Sequence, residues 1–168
     1  MTAGPSHPFN IPLDLERGID ALGLRVNEAQ QQQLLGYMDL IQKWNKVYNL
    51  TALRNPQEIL THHVLDSLSV ISPLLRHIEQ NKSSEQQNVS LLDVGSGGGL
   101  PGVVIAICCP FVRVTCVDTV SKKAAFIQQA AASLRLPNLQ GVHARVESLS
   151  GPFDLICSRA FASLPDFV

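Results

Sequence analysis

The residues best suited to chemistry lie in one glycine-rich stretch, residues 91–102. An apolar run ends at Asp93 and Val94, and Gly95, Gly97, Gly98 and Gly99 follow. A buried strand, a glycine turn and the start of a helix form the usual layout of a nucleotide-type pocket. Glycine permits the positive φ of a tight turn, and its lack of a Cβ lets a ligand approach the backbone. We therefore predict a ligand-binding turn here, with the free amides of the following helix pointing at the ligand.

Asp93 helps to separate the ligand classes that use such a turn. A dinucleotide fingerprint is G-x-G-x-x-G, but the sixth position counted from Gly95 is Leu100. The chain instead reads D-x-G-x-G-x-G from Asp93 to Gly99, with a carboxylate at the end of the strand. An anion there would repel a diphosphate and suit the ammonium group of S-adenosylmethionine, directly or through water. The pattern resembles that of Rossmann-like methyltransferases, so S-adenosylmethionine is the predicted cofactor. An NAD-type site and a plain structural turn are the alternatives.

The elements that position this turn alternate along the chain. Apolar runs and breakers predict a helix over 100–109, a strand over 112–117, a helix over 121–134 capped by Ser121, and strands over 139–143 and 153–158. This order indicates an α/β fold with a parallel sheet and helices on both faces. Ligands of such sheets bind outside the carboxyl ends of the strands. Polar residues at those ends are candidates for the site: Asp93, Asp118, Glu147 and Arg159.

Each candidate has a chemical role to fill. Asp118 lies roughly 20 residues beyond the turn, where an acidic side chain accepts hydrogen bonds from ribose hydroxyls. Val146 is placed to contact an adenine ring or donate its amide to it, and Glu147 to meet the exocyclic amine. For Glu147 a plain loop position is an equal alternative. Arg159 could neutralise a substrate phosphate or form an ion pair with a carboxylate.

The part before the glycine turn is predicted to be helical. Helices are expected over 13–24, from a capping box of Asn27 and Gln30 onwards, and from Asn55 and Pro56 to about Val70. Residues 79–90 are rich in Gln, Asn and Ser and predict a linker. The domain organisation is therefore a helical extension over 1–78, a linker over 79–90 and an S-adenosylmethionine-binding domain over 91–168.

Two groups in this helical part leave alternatives open. Trp44 and Tyr48 stand beside lysines, where they could stack on bases, although aromatic residues at a helix end more often belong to the core. His62, His63 and Asp66 could bind a metal ion. They provide only one turn of ligands with no second cluster, so a structural role is favoured and no metal is predicted.

Composition limits the classes of partner. The chain has 168 residues and a formal net charge of −1, which gives no basic excess of the kind that marks nucleic-acid binders. No apolar run approaches the ~20 residues that cross a bilayer, and residues 1–12 lack the pattern of a signal peptide. A cytoplasmic protein without a membrane partner is expected. The cysteines lie in apolar runs and are expected to be free and buried: Cys108, Cys109, Cys116 and Cys157.

Four motifs, in this order, resemble the RsmG/GidB family of bacterial 16S ribosomal RNA methyltransferases, which methylate N7 of one guanine. They are residues 44–51, His63-x-x-Asp66-Ser67, residues 93–102 and residues 158–164. The resemblance implies 16S rRNA or the small ribosomal subunit as partner. It also implies cofactor contacts at Gly95, Leu100, Val146, Glu147 and Arg159.

The implied chemistry calls for no catalytic side chain. Guanine N7 carries an in-plane lone pair and no proton, so positioning can supply most of the acceleration. Cys157 is expected to be a core residue rather than a nucleophile. Members of the family continue beyond Val168 with further strands, so the chain resembles a member truncated at its C-terminus. A fragment that binds ligand or RNA without turnover is therefore a further alternative.

Overall fold

A computed structural model describes residues 9–159, and its centre is a four-stranded sheet. The strands are β1 (Val89–Val94), β2 (Val112–Asp118), β3 (Leu139–His143) and β4 (Leu155–Cys157). Their order is β3-β2-β1-β4, and every neighbouring pair is parallel. The predicted α/β fold with a parallel sheet is confirmed.

The register places Asp93 in the middle of the sheet. It lies opposite Cys116 of β2 on one side and Cys157 of β4 on the other. Because parallel strands end at one edge, the residues after β1, β2 and β3 meet there. The glycine turn, Asp118 and the loop after β3 are therefore neighbours.

The helices flank this sheet in chain order. They are α1 (Ile11–Ala21), α2 (Glu28–Asn45), α3 in three consecutive stretches (Pro56–Glu58, Ile59–Leu65 with π geometry, and Asp66–Leu68), α4 (Ile71–Asn81), α5 (Gly102–Cys108) and α6 (Ser121–Ser133). A single 3₁₀ turn, Val146–Ser148, follows β3. None of the helices within residues 9–159 is long and apolar enough to cross a membrane.

Side-chain caps set several helix starts. The predicted capping box is present, because the Gln30 amide donates to Asn27 Oδ1 at 2.8 Å and the Asn27 amide to Gln30 Oε1 at 3.0 Å. Helix α1 begins at Ile11, two residues earlier than predicted, because Asn10 Oδ1 accepts the Leu13 amide at 3.1 Å. The predicted cap at Ser121 is wrong: Val120 precedes α6 and provides no side-chain cap.

Helix α4 was not expected from the sequence. The preceding helix was predicted to end near Val70, and Pro73 reads as a breaker. Pro73 falls in the first turn of α4, where a backbone amide has no intrahelical acceptor to lose. Regular structure therefore covers both ends of the predicted 79–90 linker, and only residues 82–88 lie between α4 and β1.

The N-terminal helices and one face of the sheet share a single apolar core. Leu15, Leu34 and Val64 from the helices belong to the same buried cluster as Leu91 and Val114 from the strands. Tyr37 and Trp44 of α2 reach Phe126 of α6, with ring centroids 6.3 and 5.3 Å apart. The helices of the extension therefore pack directly on the sheet layer.

Within residues 9–159 the helices cover one face of the sheet, whereas helices on both faces were expected. The opposite face carries a smaller cluster of Leu92, Val94 and Val117, packed by loop residues such as Val146 and Phe153. Successive right-handed crossovers from β1 to β2 to β3 move in one direction, so their helices fall on the same face. The connection from β3 to β4 crosses back with only a 3₁₀ turn.

Candidate ligand-binding site

The glycine turn leaves open space in front of its backbone. Gly95 and Gly97 have φ values of +64° and +57°, a region that L side chains rarely adopt. A Cβ built on either residue meets no atom within 4 Å. A Cβ on Gly99, in contrast, would lie 2.3 Å from Val103 Cγ2. Gly95 and Gly97 thus leave the approach to the backbone open, and Gly99 permits close packing of the helix.

Asp93 supports this turn from beneath. Its side chain is fully buried, and its Oδ2 accepts the Gly102 amide at 2.8 Å at the start of α5. Its Oδ1 and the hydroxyl of Ser96 are buried without a hydrogen-bond partner in residues 9–159. Burial raises the pKa of Asp93 from 3.8 to about 7, although the hydrogen bond from Gly102 favours the ionised form. The carboxyl group therefore faces the start of the helix rather than open solvent.

Asp118 connects the turn to the next strand. Its Oδ2 accepts the Gly97 amide at 3.0 Å, and its Oδ1 accepts the Val120 amide at 2.9 Å. The side chain is 8% exposed, so these bonds form in a largely dry setting. Each oxygen keeps a further lone pair for a ligand hydroxyl.

A cleft of about 250 Å³ opens at this edge of the sheet. It brings together four of the residues predicted from the sequence, namely Gly95, Asp118, Val146 and Glu147. It is also lined by residues that sequence reasoning missed: Val94, Val117, Thr119, Ala144 and Arg145. Four of them adjoin predicted residues, and Ala144 directly follows β3, so proximity to a strand end is the signal that could have identified them.

The other predicted residues surround this cleft at different depths. Gly97 adjoins it through its bond to Asp118. Leu100 is 8% exposed and belongs to the main core behind the turn. Asp93 lies below, as described. Arg159 is not among the lining residues of the cleft.

Arg159 instead contacts α3. Its guanidinium donates to the His62 carbonyl at 2.8 Å and lies 3.4 Å from Asp66 Oδ2. It also approaches His63 Nδ1 at 3.2 Å, while Nε2 of that ring is 2.6 Å from the Thr51 hydroxyl. Burial and the Arg159 charge lower the pKa of His63. Of the two sequence interpretations of Arg159, the structure shows the ion pair.

The described part of the chain contains no cluster of side chains that could bind a metal ion. No three His, Cys, Asp or Glu side chains group together there as a metal site requires. The histidine and aspartate of the motif at 63–66 bind Arg159 and Thr51.

The cleft fits an adenosine-bearing ligand better than a diphosphate. Val117 and Val146 offer apolar surface for a flat ring, and Asp118 offers carboxylate oxygens to hydroxyls. The open space at Gly95 and Gly97 admits a ligand chain close to the backbone. Two carboxyl groups that line the cleft, those of Asp118 and Glu147, would oppose a pyrophosphate.

These features define a class of protein. A parallel sheet of this order, with a glycine turn after its first strand and acidic residues at the next strand ends, is the Rossmann-like fold of S-adenosylmethionine-dependent methyltransferases. The family model described as "rRNA small subunit methyltransferase G" matches residues 30–168, and the chain belongs to this family. The resemblance identified from the sequence is thereby confirmed.

Curated relatives support the same assignment. Three proteins named "Ribosomal RNA small subunit methyltransferase G" match this chain. The protein from Paracidovorax citrulli (strain AAC00-1) is 63% identical over 159 residues, covering 92% of this chain and 65% of the relative. The protein from Acidovorax sp. (strain JS42) is 64% identical over 155 residues, covering 91% and 69%. The protein from Methylibium petroleiphilum is 54% identical over 169 residues, covering 100% and 74%.

The chain spans about two thirds of the length of the first two of these relatives, 65% and 69%. Among solved structures, a coclaurine N-methyltransferase bound to N-methylheliamine and SAH matches with a TM-score of 0.43 and 18% identity. That match covers 88% of this chain and 49% of the other.

Proposed function

We propose that this chain binds S-adenosylmethionine at the glycine turn and transfers its methyl group to N7 of a guanine in 16S ribosomal RNA. The observation that carries the proposal is the match of residues 30–168 to the rRNA small subunit methyltransferase G family. The open turn and the cleft lie inside the matched range. The proposed partner is 16S rRNA, free or in the small subunit, and the corresponding location is the cytoplasm.

In this proposal, residues of the glycine turn and of the cleft contact the cofactor directly. Gly95 and Gly97 admit the ligand to the backbone, and Asp118 accepts hydrogen bonds from the ribose. Val146 contacts the adenine ring, and Glu147 meets its exocyclic amine.

Three further residues of the proposed site act from outside the cleft. Leu100 closes the turn from the core side, and Asp93 positions it through the Gly102 amide. Arg159 remains a proposed cofactor-binding residue because of the family resemblance. Its guanidinium is oriented by the Asp66 carboxylate and the His62 carbonyl.

The proposed chemistry needs orientation more than acid–base catalysis. Bound S-adenosylmethionine supplies an electrophilic methyl group on sulfur. The guanine N7 lone pair accepts it without losing a proton, so no side chain has to act as general base. Burial and the nearby Asp93 raise the pKa of the Cys157 thiol, which keeps it protonated and unsuited to nucleophilic attack. In this proposal the chain contributes a fixed turn and a cleft that orients the ligand.

The test is transfer of labelled methyl from S-adenosylmethionine to small ribosomal subunits that lack the N7 mark. We expect label in 16S rRNA, recovered as 7-methylguanosine after nuclease digestion. Cofactor binding without labelled RNA would favour a non-catalytic fragment. Thermal stabilisation by NADH but not by S-adenosylhomocysteine would favour a dinucleotide-binding oxidoreductase and contradict the proposal.

A further inference from the structure

The loop after α2 borders the glycine turn. The Tyr37 hydroxyl donates to the Gly98 carbonyl, and a Cβ added at Gly98 would lie 3.6 Å from Leu50 Cγ. Leu50 of the segment 46–54 therefore lies beside Gly98 of the glycine turn.

Buried Asn45 holds this loop in one shape. Its side-chain amide donates to the Leu53 carbonyl at 3.0 Å, and its Oδ1 accepts the Thr51 amide at 3.0 Å. Arg54 donates to the Asn45 carbonyl and to the Asn49 side chain. Residues at the tip, including Tyr48, are thus presented on a fixed frame.

The ammonium group of Lys122 lies over the ring of Tyr48. Lys122 Nζ lies 4.8 Å from the Tyr48 ring centroid, and the Trp44 ring packs on the same tyrosine at 5.3 Å. Lys122 stands near the start of α6, just beyond the carboxyl end of β2, and is exposed, as is Lys46. Lys46 precedes Tyr48 by two residues in the same loop, and we name Lys46, Tyr48 and Lys122 the Tyr48 platform.

The charge of this platform is not neutralised by nearby carboxylates. Within residues 9–159 the ion pair present is that of Arg159 with Asp66, so neither lysine has a carboxylate within 4 Å there. An aromatic ring orients an ammonium group without cancelling its charge. The platform is therefore a positive, partly aromatic surface on a chain whose formal net charge is −1.

We propose that the Tyr48 platform docks the sugar-phosphate backbone of the substrate rRNA beside the glycine turn. The proposal rests on the proposed function for the identity of the RNA. Unpaired ammonium groups attract phosphates, and exposed aromatic rings stack on unpaired bases. The sequence already placed Tyr48 beside lysines of its own segment, and the structure adds Lys122 from α6 to this surface.

The chain offers a matched control for this surface. Lys82 Nζ lies 5.6 Å from the Phe111 ring centroid, so it forms the same kind of pair. Phe111 accepts the Val89 amide through its carbonyl at the amino-terminal start of β1 and β2. This second pair therefore lies at the amino-terminal ends of the strands, whereas the cleft lies at their carboxyl ends.

The test compares the double variant Lys46→Gln/Lys122→Gln, the variant Tyr48→Leu and the control Lys82→Gln. Binding of 16S rRNA is measured by filter retention over a range of salt concentrations. We expect the double variant to bind about tenfold more weakly, with a salt slope shallower by about 1.4, since each lost phosphate contact on single strands removes about 0.7. Tyr48→Leu weakens binding less, and Lys82→Gln matches the parent chain.

Calorimetry with S-adenosylhomocysteine separates this proposal from the proposed function. All variants are expected to keep the cofactor affinity of the parent chain. RNA affinity and salt slope equal to those of the parent in both platform variants would overturn the docking proposal, as would absence of RNA binding by the parent. Failure of labelled methyl transfer with platform-dependent RNA binding would count against the proposed function alone.

Discussion

At the residue scale, the glycines of the turn have separable roles. Gly97 and Gly23 have similar φ values, +57° and +66°, and a Cβ on either meets no atom within 4 Å. Only Gly97 adjoins the proposed cleft. The two positions are therefore matched in backbone strain but differ in their distance from the proposed cleft.

We expect Gly97→Val to lose cofactor binding and Gly23→Val to keep it. A valine side chain at Gly97 fills the approach to the backbone, so affinity for S-adenosylhomocysteine should fall by at least about a hundredfold, or about 2.7 kcal/mol. Both substitutions should lower stability by roughly 1–3 kcal/mol through backbone strain. Calorimetric titration of the folded variants measures the difference. Equal affinities would remove Gly97 from the site.

Asp93 is expected to make stability depend on pH. Its pKa is raised from 3.8 to about 7 by burial, so the folded chain retains a proton that the unfolded chain has released between these values. Stability therefore falls as pH rises from about 4 to about 7, by up to roughly 4 kcal/mol at about 1.4 kcal/mol per pKa unit.

Asp93→Asn isolates this effect. Asparagine keeps an oxygen that accepts the Gly102 amide but does not ionise. The difference in unfolding free energy between the two chains, measured in urea from pH 4 to 8, should shift in favour of the variant as pH rises. The lowered pKa of His63 also makes stability depend on pH, but this effect is the same in both chains and cancels in the difference. Parallel pH profiles would show that Asp93 is not the group responsible.

At the element scale, local sequence patterns predicted where helices and strands begin better than they predicted how these elements pack on one another. The Asn27–Gln30 capping box and the β3 bounds follow from neighbouring residues, and both are confirmed. Helix α4 escaped prediction because its stability comes from packing, through Ile71 and Ile78 in the core, rather than from a capping signal.

The candidate site shows the same limit. Sequence order predicts that Asp93 and Asp118 stand at strand ends, but not that Asp93 turns inward to Gly102. The contact of Arg159 with His62 joins residues 97 positions apart and has no local signature. Long-range pairings of this kind depend on the packed fold, so they lie beyond pattern reasoning.

Gln30 links two elements and offers a test of helix docking. Its Oε1 completes the capping box, and its Nε2 donates to the Ile107 carbonyl of α5 at 3.1 Å. We expect Gln30→Ala to cost roughly 1–2 kcal/mol, because it removes a cap and an interhelical hydrogen bond. Exposed Gln32→Ala should stay within about 0.5 kcal/mol of the parent. Urea unfolding measures both, and equal losses would contradict the role given to Gln30.

At the scale of the whole molecule, the helical extension and the sheet layer share one core. Trp44, the one tryptophan of the chain, packs on Phe126 of α6 across this junction. We expect fluorescence of Trp44 and far-ultraviolet circular dichroism to follow a single unfolding transition in urea. A fluorescence change that precedes loss of helix would show that the extension undocks as a separate unit.

The whole molecule also decides what the turn can do, because only the assembled edge of the sheet joins Gly95 and Gly97 to Asp118 and Val146. The most direct measurement is calorimetric titration of the chain with S-adenosylhomocysteine, with NADH as the competing ligand class. We predict saturable binding of one equivalent of S-adenosylhomocysteine and none of NADH. Binding of NADH alone, or of neither ligand by the folded chain, would contradict a methyl-donor site at the glycine turn.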